Sequence, residues 1–169
     1  MISKKVTMVG AFAVGKTSLV RRFVESIFSE KYHTTIGVKI DKKQVQVDQE
    51  MVQLMIWDIE GVDVFTELNT TYLRGASGML LVIDGTRENT VDAAQKILDT
   101  VTNSMPETPV VLVVNKCDLK SQWALTNGQL SRLNIAEENI FYTSAKTGEC
   151  VEEAFSRLAE LTLGSAIME

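Results

Sequence analysis

Gly10-Ala11-Phe12-Ala13-Val14-Gly15-Lys16-Thr17 decides the reading of this chain. It follows the apolar run Val6-Thr7-Met8-Val9 and precedes a segment in which Leu19, Val20, Phe23 and Val24 fall at helical spacing. The pattern is Gly, four residues, Gly, Lys, then Ser or Thr, set between a strand and a helix, which marks a phosphate-binding loop. From average residue frequencies it arises by accident in about one per cent or fewer of chains this long. Small residues let the backbone wrap phosphates, while successive N–H groups and the helix N-terminus supply positive potential. The expected cradle is Ala13, Val14, Gly15, Lys16, Thr17 and Ser18, with Lys16 reaching the terminal phosphates and Thr17 Oγ ligating Mg²⁺.

Outward from the loop, the runs Met79–Ile83 and Val110–Val114 are nearly continuous and apolar, as in strands covered on both faces of a parallel sheet. Val91, Ala94, Leu98 and Val101 repeat at helical spacing, as do Val151, Ala154, Phe155, Leu158 and Thr162. The stretch 38–47 alternates, pauses at Asp48-Gln49-Glu50 and resumes over 51–57, which reads as a hairpin feeding an antiparallel edge strand. The order strand, helix, hairpin, helix, then strand and helix in alternation predicts a three-layer α/β domain. Ligands of such domains gather at the carboxyl edge of the sheet.

Composition excludes more than it selects. With 169 residues and no linker, repeat or low-complexity tract, one domain over 1–169 is expected, able to bury about two-thirds of its unfolded surface. A net charge of −5 without a Lys/Arg run argues against nucleic acid as a partner. Cys117, Cys150 and the single His33 lack metal-ligand spacing, which fits a reducing cytoplasm. No apolar run reaches bilayer length, and Met1–Gly10 is too short for a signal peptide.

Further along, Asn115-Lys116-Cys117-Asp118 follows one apolar strand and Thr143-Ser144-Ala145-Lys146 follows Ile140-Phe141-Tyr142. With these, the chain resembles the Ras superfamily of small GTPases, and the resemblance spans Lys4 to about Leu163. It implies a P-loop GTPase fold, a mixed six-stranded sheet with about five helices, binding GTP or GDP with Mg²⁺. In that family the Asp118 carboxylate accepts from guanine N1–H and the exocyclic amine, two donors that adenine does not present together. By the same resemblance Lys116 and Lys146 pack along the base, Asn115 ties the loops together, and the Ser144–Ala145 loop brings the Ala145 N–H to guanine O6.

Tyr32-His33-Thr34-Thr35-Ile36-Gly37-Val38-Lys39 is similar to the first switch of the Rab branch. The resemblance makes Thr35 the sensor of Mg²⁺ and γ-phosphate, adds Tyr32 to the nucleotide contacts, and sets Phe28 edge-on against guanine or, equally, in the core. Trp57-Asp58-Ile59-Glu60-Gly61 stands at the second switch, where Asp58 would hold Mg²⁺ through water and the Gly61 N–H would meet the γ-phosphate. Thr70-Thr71-Tyr72-Leu73-Arg74-Gly75-Ala76 and the later Asp84-Gly85-Thr86 continue the Rab likeness. Ile40, Trp57 and Tyr72 fall where Rab proteins carry an effector-facing apolar triad. Effectors and regulators are therefore expected to meet residues 32–40 and 60–75 of a monomeric signalling hydrolase.

The chain also departs from the family. Val62 occupies the position of the Gln that orients the attacking water, and it has no polar atom to do so. Catalysis is left to Lys16, Thr35 and Gly61, and slow or partner-dependent GTP hydrolysis is expected. Glu60 or Asp63 offers an acceptor for that water, although a carboxylate beside a triphosphate meets like-charge repulsion. Phe12 and Ala13 replace glycines where a GTPase-activating protein inserts its arginine finger, unless Phe12 points to solvent or lies against the second switch. No cysteine for prenylation follows Gly164, so a cytoplasmic form without a lipid anchor is expected, or a tail beyond this sequence. Two competing readings are a GTP-locked binding module and an ATP-dependent phosphotransferase, the second opposed by Asp118.

Overall fold

The structure is a computed structural model that describes residues 1–26, 28, 37–62 and 68–167, with side chains as far as 164. Six strands, β1 (Ile2–Gly10), β2 (Val38–Val47), β3 (Glu50–Ile59), β4 (Gly78–Asp84), β5 (Val110–Asn115) and β6 (Ile140–Tyr142), form one sheet in the order β2-β3-β1-β4-β5-β6. Only β2 runs antiparallel, paired with β3 through the turn at Asp48. Its Lys39, Lys42 and Lys43 charge the sheet edge, which opposes pairing with a further strand. The mixed sheet with its single antiparallel edge agrees with the sequence.

Alternation along the central strands sends neighbouring side chains to opposite faces. Val6 and Met8 of β1, Leu80 and Val82 of β4, and Val111 and Val113 of β5 belong to one buried cluster. It includes Leu19, Val20 and Phe23 of α1 (Lys16–Glu25) and Phe155 and Leu158 of α4 (Val151–Ile167). Phe23 and Phe155 stack with centroids 4.0 Å apart, joining the two helices. Val9, Leu81, Ile83, Leu112 and Val114 enter the other cluster, with Val91, Ala94, Ile97 and Val101 of α2 (Asn89–Ser104) and Leu130 of the short α3 (Asn127–Ser131). Apolar runs are needed where both faces are covered, and the three layers follow from that.

Four α-helices and three short 3₁₀ turns are present among the described residues. The sequence reading placed a helix after the hairpin. A 3₁₀ turn at Thr70–Leu73 stands there, and 63–67 lie outside the described residues. No helix among the described residues is long and apolar enough to cross a membrane.

Strand order reverses at β1, whose neighbours β3 and β4 lie on opposite sides. A crevice therefore opens beyond its carboxyl end, where parallel α/β sheets bind ligands. Gly10, Asp58, Asp84, Asn115 and Tyr142 all sit at or near the carboxyl ends of their strands, and the pairs Met8↔Asp58, Gly10↔Val82 and Asp84↔Asn115 keep these ends level.

Candidate functional site

Beyond β1 the chain turns through 11–15 and enters α1 at Lys16. Gly15 has φ +99°, and a Cβ there would lie 2.3 Å from Asn115 Nδ2, so both conformation and space require glycine. Glycine also brings no side chain to cap the first turn of α1, whose N–H groups face the loop. Ala13 takes the left-handed conformation at φ +60°, a strained choice for a residue with a Cβ.

Side chains from elsewhere hold this loop. Lys16 Nζ donates to the Ala11 carbonyl at 3.2 Å, Lys116 Nζ to the Ala13 carbonyl at 3.2 Å, and Asn115 Nδ2 to the buried Val14 carbonyl at 2.9 Å. Asn115 Oδ1 accepts from Thr143 Oγ1 at 3.1 Å, so one amide joins the phosphate loop to the segment after β6. Lys16 is buried, and its ammonium is lowered to about 8, first by desolvation and further by the Arg87 cation, with Asp58 opposing. Such an amine gains from any anion brought against it.

At the other end of the crevice, Lys116 leaves β5 at φ +70° and the Cys117 N–H donates to the Thr143 carbonyl. Asp118 Oδ1 accepts from Ser144 Oγ at 2.8 Å, which orients the carboxylate, and Ala145 is buried beside them while Lys146 is exposed. Cys117 donates its Sγ–H to Glu149 at 2.8 Å. Burial first and that carboxylate second push the thiol up to about 12.

Thr17 Oγ1 donates to Asp58 Oδ2 at 2.6 Å, which brings together the two described residues expected at a metal. A hydroxyl and one carboxylate are hard oxygen donors suited to Mg²⁺, an ion that takes one or two protein ligands and fills its shell with phosphate and water. Among the described residues no cluster of three or more His, Cys, Asp or Glu stands elsewhere as a rival metal site. The donor set fits the ion.

The segment that follows β3 meets the phosphate loop directly at Gly61 and Val62. Val62 N–H donates to the Gly10 carbonyl at 3.0 Å, forming an isolated parallel bridge between Ala11 and Val62. A Cβ on Gly61 would come within 2.6 Å of Phe12 Cα, so only glycine permits this approach. Val62 is buried with Val9, Ile59 and Leu73. Phe12 is 43% exposed at the rim of the loop. Glu60, expected beside the γ-phosphate, has its carboxylate turned to the Gly37 N–H at 3.1 Å, and its own N–H donates to the Gly37 carbonyl at 2.8 Å.

Of the remaining residues singled out in the sequence, Ser18 is half-buried in the first turn of α1, and Phe28 packs against the cluster shared by α1 and α4. Tyr32, His33, Thr34, Thr35, Ile36, Asp63 and Phe65 lie outside the described residues. Sequence reasoning missed Arg87, whose guanidinium donates to the Phe12 carbonyl, and the Glu60–Gly37 clip. An arginine three residues after the strand-terminal Asp84 was the available signal for the first.

A profile of the Ras family matches residues 5–163. The human Ras-related protein Rab-7L1 is 40% identical over 167 residues, covering 92% of this chain and 80% of that protein. The Ras-related protein Rab-4B of Rattus norvegicus is 37% identical (94% and 76% covered), and Rab-13 of the same organism is 35% identical (92% and 77%). With a phosphate loop, a candidate base carboxylate and a hydroxyl–carboxylate metal pair at one sheet edge, and with these relatives across its length, the chain belongs to the Ras family of small GTPases, on its Rab-like side.

Proposed function

We propose that this chain is a GTP/GDP switch that binds guanine nucleotide with Mg²⁺ and engages effectors in the GTP state, with slow or partner-dependent hydrolysis. The observation that carries the reading is the Asn115 amide. It bonds the Val14 carbonyl and Thr143 together, so the phosphate cradle and the loops bearing Asp118 and Ala145 form one continuous seat.

In this seat the N–H groups of 13–18 surround the phosphates and Lys16, desolvated by burial, places its charge on the terminal ones. Asp118, steadied by Ser144, accepts from the two donors of guanine, with Lys116 and Lys146 along the base. Thr17, and Asp58 through water, would hold Mg²⁺, with Thr35 as the further ligand. Mg²⁺, when bound, neutralises charge on the phosphate oxygens. The Gly61 N–H contacts the γ-phosphate, and Tyr32 adds a contact to the nucleotide. Val62, packed among aliphatic side chains, gives the attacking water no partner, which is the source of slow turnover.

Effector contact is assigned to residues 32–40 and 60–75. Within them Ile40 is 46% exposed. Trp57 is half-buried under Lys5, whose ammonium lies 3.6 Å from the ring centroid. Tyr72 completes the apolar group. A cytoplasmic, monomeric protein without nucleic-acid partners is the corresponding picture.

The burial of Val62 also favours a second reading, a module in which GTP is a structural ligand that is never usefully hydrolysed. Chromatography of the nucleotide released from purified, GTP-loaded protein over several hours separates the two. Conversion to GDP supports the switch, and persistent GTP supports the module.

A further inference from the structure

Three successive carbonyls of the phosphate loop, those of Phe12, Ala13 and Val14, are gripped by side chains from other segments. Two of the grips, Lys116 on Ala13 and Asn115 on Val14, come from the base-binding segment. The third is separate. An Arg87 Nη donates to the Phe12 carbonyl at 2.5 Å, reaching across from the turn between β4 and α2.

That turn is built to aim the arginine. Asp84, fully buried at the end of β4, accepts on Oδ1 from the Thr86 N–H at 2.9 Å and the Thr86 hydroxyl at 2.6 Å. Its Oδ2 faces Arg87 Nε at 3.3 Å and Lys116 Nζ at 2.8 Å as ion pairs. Thr90 Oγ1 accepts from the Asp84 N–H and donates to the Arg87 carbonyl at 2.8 Å, closing the turn at the start of α2. One buried carboxylate therefore anchors both cations that hold adjacent carbonyls of the loop.

A planar trans peptide points its C=O and its N–H in opposite directions, and no cis bond occurs among the described residues. A donor that fixes the Phe12 carbonyl thereby fixes the Ala13 N–H on the opposite side. That N–H belongs to the left-handed Ala13, in a conformation that an unsupported alanine leaves readily. Among the described residues, the guanidinium is the side-chain donor that holds the 12–13 peptide directly.

We propose that Arg87 is a nucleotide-positioning residue: gripping the Phe12 carbonyl while paired to Asp84, it turns the Ala13 N–H into the phosphate cradle and sets affinity at the phosphate end of the guanine nucleotide, independently of base recognition. This rests on the nucleotide reading above. The group acts through the loop backbone, so its removal weakens phosphate binding and leaves the Asp118 end untouched. A charged donor is required, and lysine, with the same charge and a shorter reach, restores part of the effect.

The test uses the full chain, stripped of nucleotide, as wild type, Arg87→Met and Arg87→Lys. GDP and IDP, which lacks the exocyclic amine, are titrated with Mg²⁺ present. Arg87→Met is expected to weaken GDP by about tenfold or more, the usual consequence of losing a charge-assisted hydrogen bond. Its preference for GDP over IDP should stay at the wild-type ratio, and Arg87→Lys should recover at least part of the loss. The inference is overturned if Arg87→Met binds GDP within twofold of wild type, if the GDP-to-IDP ratio shifts with the loss, or if Arg87→Lys binds no better than Arg87→Met. Melting of the stripped proteins reports on folding, and a Met variant that melts with Arg87→Lys but binds more weakly supports the positioning role. A wild type that holds neither GDP nor IDP would remove the underlying nucleotide reading instead.

Discussion

Val62→Gln tests the hydrolysis reading and the position of the second switch together. Val62 is 3% exposed and packed with Val9, Ile59 and Leu73, while its N–H is fixed to the Gly10 carbonyl. A glutamine in the same place puts an amide among aliphatic side chains, at a cost of about 1–3 kcal/mol for its missing partners. Its extra length adds overpacking of about 1–3 kcal/mol. The sum, about 2–6 kcal/mol, corresponds to roughly 5–20 °C of melting temperature in a chain of this size. If the segment instead lifts from the loop, the glutamine reaches the attacking water and the stability loss shrinks. Single-turnover hydrolysis of pre-loaded GTP and thermal melting of the GDP form are measured on both proteins. A lower melting temperature and at least about tenfold faster hydrolysis are expected, since a positioned polar group contributes on that scale or above. A fast wild type, or a variant with unchanged melting and unchanged hydrolysis, refutes the reasoning.

Lys16 sets a pH dependence. Its ammonium is lowered to about 8 in the nucleotide-free protein, and phosphate beside it raises that value, so binding takes up a proton above pH 8 and not well below it. Calorimetry in buffers of different ionisation enthalpy should show negligible uptake at pH 6.5 and about 0.9 proton at pH 9. Because the unfolded lysine titrates at the usual 10.5, this residue's contribution to the stability of the stripped protein should rise between pH 8 and 10.5. Asp118→Ala removes the acceptor of two base donors, and competition against a fluorescent guanine nucleotide should show GTP weakened by about a hundredfold or more with ATP unchanged. Gly15→Ala forces a Cβ to within 2.3 Å of Asn115 Nδ2 at a left-handed residue. Chemical denaturation should show a loss of about 2–4 kcal/mol. Cys117, with its thiol pushed up to about 12, should alkylate at pH 8 more slowly than a free cysteine.

Periodicity revealed the strands and the long helices because both sheet faces are covered, which makes Met79–Ile83 and Val110–Val114 apolar throughout. The hairpin was legible from its interruption at Asp48. The five-residue α3 was not, since it is too short for a helical period, although Thr126 and Gln129 form the capping box that starts it. At the site, Gly15, Lys16, Thr17, Asn115 and Asp118 stood out because backbone wrapping and base pairing demand particular residues at particular spacings. Arg87 and Glu60 did not. Each acts on a backbone carbonyl or N–H distant in sequence, Phe12 for one and Gly37 for the other, and such partners leave no mark on local pattern. The burial of Val62 left no such mark either, since it depends on the parallel bridge to Ala11, a tertiary pairing.

The central claim is that the loop beginning at Gly10 and the carboxylate of Asp118 together hold a guanine nucleotide. Equilibrium titration of the stripped protein with GDP and with ADP, magnesium present, tests it most directly. The account predicts saturable GDP binding at least a hundredfold tighter than ADP. Equal affinity for the two, or retention of neither, would contradict it.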